Sequence, residues 1–150
     1  MVKEAFVIHT GTATLAVFDP ALLNHRRTDY VDWWSDPDEE LAELARGTAL
    51  IVALGADASY AVTVDSPAPP VQGAVTARVA SKGRLFIGPG EDLPGQGSEP
   101  GTGLGGRFLE VAAGTLQVGF SLLGPGEIGV TLMPVQGPAS NPAEQPLELL

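Results

Sequence analysis

Hydrophobic positions along the 150-residue chain recur mostly with period two or in short unbroken runs, a pattern of strands rather than helices. Phe6 to Ile8 and Thr12 to Phe18 are rich in β-branched and aromatic residues and predict two strands separated at Gly11. Asp19-Pro20 ends the second, because Pro20 has no amide hydrogen and keeps the residue before it out of helical conformation. Thr48 to Leu54 is a continuous apolar run of buried-strand length. Tyr60 to Asp65 and Ala74 to Ala80 alternate, Arg84 to Ile87 is short, and Phe108 to Ala112, Leu116 to Leu122 and Ile128 to Met133 complete nine strands. Gly-bearing connections at Gly55-Ala56-Asp57, Ser81-Lys82-Gly83, Ala113-Gly114 and Gly124-Pro125-Gly126 separate them. One stretch has helical spacing. Asp36 can cap it, Pro37 suits the first helical position, Glu39 can close a capping box, Leu41, Leu44 and Ala45 recur on one face, and Gly47 supplies the stop. The expected fold is all-β: an antiparallel β-sandwich, jelly-roll-like, with one short helix near residues 36–46. A parallel α/β sheet would need crossover helices that the pattern does not supply.

Three segments fall outside the strand pattern. Residues 1–134 are expected to form the single sandwich domain, and 135–150, rich in Pro, a flexible tail with at most a terminal contact at Leu147, Leu149 and Leu150. Gly88 to Gly106 holds eight Gly and three Pro in nineteen residues, which predicts a loose hairpin extension anchored only by Leu93 and Leu104. The loop from Asp19 to Ser35 is different. It carries Leu22, Leu23, Tyr30, Val31, Trp33 and Trp34, too much apolar area to leave in water, so it is expected to be an ordered cover over one end of the sandwich.

Composition narrows the function classes. There are 19 glycines and 13 prolines, nearly double the usual share, which disfavours a helical bundle. The net charge of −10 repels phosphate backbones and anionic headgroups, so nucleic acid and membrane are poor partners. With no cysteine, disulfides, thiolate metal sites and cysteine nucleophiles are excluded. The start of the chain, with Glu4 and His9, is not a secretory signal, and no apolar run approaches the ~20 residues of a membrane helix. A soluble, cytoplasmic protein is expected.

Few motifs carry chemistry. Gly101-Thr102-Gly103-Leu104-Gly105-Gly106 spells G-x-G-x-x-G, but a strand follows it instead of a helix, and Glu91, Asp92 and Glu99 would repel phosphate, so nucleotide binding is rejected. Seven acids fall between Asp29 and Glu43. Asp29, Asp32, Asp36 and Asp38 could hold Ca²⁺ at one end of a sandwich, although no D-x-D-x-D-G loop is present and capping already accounts for Asp36 to Glu40. His25-Arg26-Arg27 is the only basic cluster, and Arg26 or Arg27 paired with Asp29 or Asp32 would fix the loop. A hydrolytic set built on His25 with an acid and Ser35 or Thr28 lacks any nucleophile context. Trp33-Trp34 would point to opposite faces if extended, so either one ring is left near the surface as an anchor for a basic partner, or both pack under the helix.

The residues Thr12 to Pro20, Leu23-Asn24-His25-Arg26, Asp32-Trp33-Trp34, Leu50 to Asp57 and Leu85 to Glu91 resemble a small bacterial all-β family of unknown function, over most of the chain up to about Met133. That resemblance implies one domain and supplies no activity to carry over. In size, acidity and all-β character the chain is also similar to small bacterial nuclease inhibitors and immunity proteins. The expected function is therefore that of a non-catalytic acidic protein, an inhibitor or immunity protein that binds a basic protein partner and needs no cofactor. The candidate binding residues are His25, Arg26, Arg27, Asp29, Asp32, Trp33, Trp34, Asp36 and Asp38. The alternative is a Ca²⁺-dependent or small-ligand-binding module using Asp29, Asp32, Asp36 and Asp38.

Overall fold

The chain is built from two five-stranded sheets and one helix, seen in a computed structural model that describes residues 2–95, 99–142 and 144–149. The strands are β1 (Val2–Thr10), β2 (Thr14–Phe18), β3 (Ala49–Ala53), β4 (Ala58–Ser66), β5 (Val75–Ser81), β6 (Arg84–Pro89), β7 (Arg107–Glu110), β8 (Gly114–Gly124), β9 (Glu127–Val135) and β10 (Leu147–Glu148). The first sheet runs β1-β4-β9-β8-β5 and the second β10-β3-β2-β6-β7. The all-β, two-sheet expectation holds, with one correction: neither sheet is purely antiparallel. β4 pairs with β9 in parallel, Val62 opposite Ile128, and β10 pairs with β3 in parallel, Leu147 opposite Val52. β9 forms a hairpin with β8 across the tight Gly124 to Gly126 turn, and its other edge pairs with β4 in the parallel sense.

Alternation decides which side chains meet between the sheets. Phe6 and Ile8 of β1, Val62 and Val64 of β4, Val118 and Phe120 of β8 and Ile128 and Val130 of β9 face Leu15, Val17, Leu50, Val52, Leu85 and Ile87 of the second sheet. The opposite faces of β2, β3 and β6 are buried as well. There Ala16, Phe18, Ala49, Ile51 and Phe86 form a second apolar cluster with Leu23, Trp33, Trp34 and Leu93. A sheet buried on both faces explains why β2 and β3 read as unbroken apolar runs instead of alternating.

The helix α1 (Pro37–Arg46) starts and stops as expected. The Asp36 carboxylate accepts from the Asp38 amide at 3.0 Å, and Gly47 adopts φ 68°, the left-handed conformation that ends a helix. The capping box does not form, because Glu39 turns instead to Arg26.

Beyond Val135, where a flexible tail was expected, the chain packs back on the sandwich. The Asn141 side chain accepts from the Arg78 amide at 2.7 Å and donates to the carbonyls of Leu44 and Arg78. Leu147 of β10 pairs with Val52 of β3 and Leu149 is buried; Leu150 lies outside the described residues.

Candidate functional site

The segment from Asp19 to Ser35 lies over the outer face of the second sheet as three single 3-10 turns, Pro20–Leu22, Asn24–Arg26 and Trp33–Ser35. Asp19 starts it. Its buried carboxylate accepts from the amides of Ala21 at 3.0 Å and Lys82 at 2.7 Å. Leu23, Trp33 and Trp34 supply the buried apolar area, which makes the segment a packed cover. Tyr30 and Val31, counted among its anchors on composition, point the other way: Tyr30 is 76% exposed and Val31 45%. Both tryptophans are buried, so neither is a free surface anchor. The reason is local backbone, since Trp33–Ser35 is a turn and the two rings do not alternate as they would in a strand.

Of the basic cluster only Arg26 turns inward; His25 and Arg27 stay exposed. Arg26 is buried beneath the loop, with its guanidinium 4.2 Å from the centre of the Trp33 ring. It donates to the wholly buried carboxylate of Glu43 at 2.8 Å, and pairs with Glu39 at 2.8 Å and Asp29 at 3.0 Å. Glu43 also takes His25 Nε2 at 3.0 Å, Arg46 and the Thr48 hydroxyl. Burial works against ionisation of Glu43, yet the hydrogen bonds from Thr48, His25 and Arg26 hold it below the usual carboxylate range. For Arg26, burial opposes the charge, and its bonds to Glu39, Asp29 and Glu43 outweigh that and raise its pKa. His25 therefore belongs to Glu43, not to Asp29 or Asp32, and Arg27 reaches Glu99 at 2.7 Å.

This network leaves a groove of about 710 Å³ between the loop and the start of α1. Asp29, Asp32, Asp36 and Glu39 line it, Arg26 and Trp33 form its floor, and Tyr30 stands at its rim. Of the nine candidate residues, Arg26, Asp29, Asp32, Trp33 and Asp36 come together here. His25, Arg27, Trp34 and Asp38 are not among the lining residues. Among the described residues, no three His, Asp or Glu side chains converge as metal ligands would, so the aspartates from Asp29 to Asp38 do not form the calcium cage that their spacing allowed. Glu43, Glu39 and Tyr30 were missed as site residues. A signal existed for the first two: Glu39, Glu43 and Arg46 lie four and three residues apart, on one stripe of the helix.

The described parts of the Gly88 to Gly106 segment brace the same loop, where a loose extension held only by Leu93 and Leu104 was expected; 96–98 lie outside the described residues. The Trp33 indole Nε1 donates to the Pro94 carbonyl at 2.7 Å, and Leu93 is fully buried. Glu91 fastens the base of this brace, accepting from the Thr10 hydroxyl at 2.9 Å, the Gly11 amide at 2.7 Å and the Thr12 hydroxyl at 2.5 Å. Burial acts against the Glu91 charge, but these bonds keep its pKa low. Asp92 beside it is pushed up to about 6 by burial and by the Glu91 charge.

Sequence comparison places this arrangement in a family. The chain belongs to DUF6386, a family of unknown function that it matches over residues 1–141. No curated protein matches it. Among solved structures, a protein described as crocagin biosynthetic gene J has a TM-score of 0.54 at 14% identity, covering 91% of this chain and 100% of its own; the two share a fold. The crystal structure of ComJ, inhibitor of the DNA-degrading activity of NucA from Bacillus subtilis, matches with a TM-score of 0.48 at 11% identity, over 90% of this chain and 96% of ComJ. No helix among the described residues is long and apolar enough to cross a membrane.

Proposed function

We propose that this member of DUF6386 is a non-catalytic acidic interaction protein, of the inhibitor or immunity type, that covers a basic protein partner with the surface around Tyr30. The observation that carries the reading is the groove itself. Four carboxylates line it, the one guanidinium in its floor is already neutralised, and an exposed tyrosine stands at its rim. A concave surface with excess negative potential on a chain of net charge −10 draws a cationic partner and speeds encounter. The polar groups beneath it are used up in structure. His25, Arg46 and Thr48 all converge on the buried Glu43 carboxylate, a set that fixes α1 to the loop.

Affinity capture from the producing organism, followed by rebinding of the purified candidate, tests this. The expected result is a stoichiometric basic protein released by salt and no longer bound after Asp32→Lys. A partner of neutral or acidic character, or binding indifferent to both salt and Asp32→Lys, would sink the proposal.

A further inference from the structure

We infer that the groove recognises a guanidinium, so that the partner engages it through an exposed arginine rather than a lysine, with Tyr30 closing over it; this rests on the basic-partner reading above. The first observation is the mount of Tyr30. Its side chain is exposed, yet its backbone is held from two sides. The Trp33 amide donates to the Tyr30 carbonyl at 3.1 Å, and Gly95 packs so closely that a Cβ there would lie 2.9 Å from the same oxygen. The Trp33 bond to Pro94 and the Arg27–Glu99 pair fasten the flanks. An aromatic ring on a fixed backbone, with Val31 exposed beside it, loses little conformational freedom on docking, which is the property of an interface anchor.

The second observation is the chemistry of the floor. Arg26 lies over the Trp33 ring with Asp29 and Glu39 at its edge, an aromatic face below a guanidinium and carboxylates around it. The rim repeats those components for a second guanidinium. Tyr30 offers a ring, Asp32 makes no ion pair among the described residues, and Asp36 uses one carboxylate oxygen on the Asp38 amide. About 710 Å³ is within the range of small-ligand sites, with room for an arginine and the backbone that carries it. A lysine would bring the same charge without the planar face that stacks on tyrosine or the fork that matches paired carboxylates, and its ammonium is more costly to strip of water.

The test is an amide-resolved NMR titration of the full chain at low salt with two blocked peptides of equal charge, acetyl-Gly-Arg-Arg-Gly-amide and acetyl-Gly-Lys-Lys-Gly-amide. The arginine peptide should bind at least about fivefold more tightly, with shifts confined to Asp29 through Glu39 and the Trp33 indole. Tyr30→Ala should abolish the preference and Tyr30→Phe should keep it, because the ring face and not the hydroxyl is required. Equal affinity for the two peptides overturns the arginine assignment and leaves the basic-partner reading standing. Shifts that map away from the groove overturn the groove as the site. Silence from both peptides at millimolar concentration overturns this inference too, and the partner reading is then decided separately by whether Asp32→Lys abolishes capture.

Discussion

Glu43→Gln is the sharpest perturbation of this architecture, because it removes one charge from a side chain that is 0% exposed and leaves the shape nearly unchanged. Glu43 satisfies four donors from four different places: His25, Arg26, Arg46 and Thr48. A glutamine keeps one acceptor oxygen and turns two hydrogens toward guanidinium groups. Breaking a buried ion pair from one side costs about 3–5 kcal/mol when the remaining charge has nowhere to go. Arg26 still has Asp29 and Glu39, which are 39% and 46% exposed, so the lower end applies, about 3 kcal/mol. At about 2–4 °C per kcal/mol for a domain of this size, the melting temperature should fall by roughly 6–12 °C. Urea denaturation of the wild type, Glu43→Gln, Arg26→Met and the double variant closes the cycle. The double variant should lose less than the two single losses combined, with an interaction energy of about 2–3 kcal/mol. A loss below about 1 kcal/mol for Glu43→Gln, or strict additivity, would refute the claim that this buried pair holds the loop to the helix.

Three further outcomes are expected. The half-buried Glu40 carboxyl is pushed up to about 7 by burial, from an ordinary 4.5, so the folded state binds its proton more tightly than the unfolded state and stability falls as pH rises from about 4.5 to 7. Glu40→Gln should therefore stabilise the protein above pH 7 by about 1 kcal/mol, after allowance for its partial exposure, with the gain vanishing below pH 4.5; a pH-independent difference in urea midpoint would contradict this. Gly105 has φ 94°, and a Cβ there would lie within 2 Å of the Val7 carbonyl, so Gly105→Ala should destabilise by more than about 2 kcal/mol in the same assay. In hydrogen exchange, amides from Leu23 to Trp34 should be protected relative to those at 101–103, where a Cβ added at Gly101 or Gly103 would meet no atom within 4 Å; equal rates would refute the packed cover.

The strands were legible because their signal is local. Thr48 to Leu54 reads as a buried strand since each residue faces one of two apolar layers, and Ala74 to Ala80 alternates because one side of β5 faces solvent. Helix α1 was legible from Asp36, Pro37 and Gly47 for the same reason. The parallel pairing of β4 with β9 joins segments more than 60 residues apart, and neither segment's periodicity records the direction of its neighbour. The site was legible in part. Its location in the 19–35 loop and at the helix start follows from apolar content and acid density. The inward turn of Arg26 does not, because a basic cluster normally reads as solvated and only the long-range partner Glu43 reverses that. Tyr30 departs in the opposite direction: apolar content predicts burial, but the 3-10 turn at Trp33 sends the indole down while Tyr30 stays up.

Trp33 joins the core to the floor of the groove, and under the proposed partner reading it would link stability to recognition. Its ring is part of the apolar cluster on the outer face of the second sheet, its Nε1 is bonded to Pro94, and its face carries Arg26 in the floor of the groove. A partner that docks on Tyr30 and the carboxylates at the rim thus meets a surface whose underside is core, so little of its binding energy is spent on ordering the loop. The same coupling separates two kinds of variant. Substitutions at Tyr30 or Asp32 touch solvent and should alter binding at nearly constant stability, whereas substitutions at Trp33, Arg26 or Glu43 should lose both together. Binding loss at constant melting temperature is therefore the signature that identifies the contact residues, and loss of both marks the scaffold beneath them.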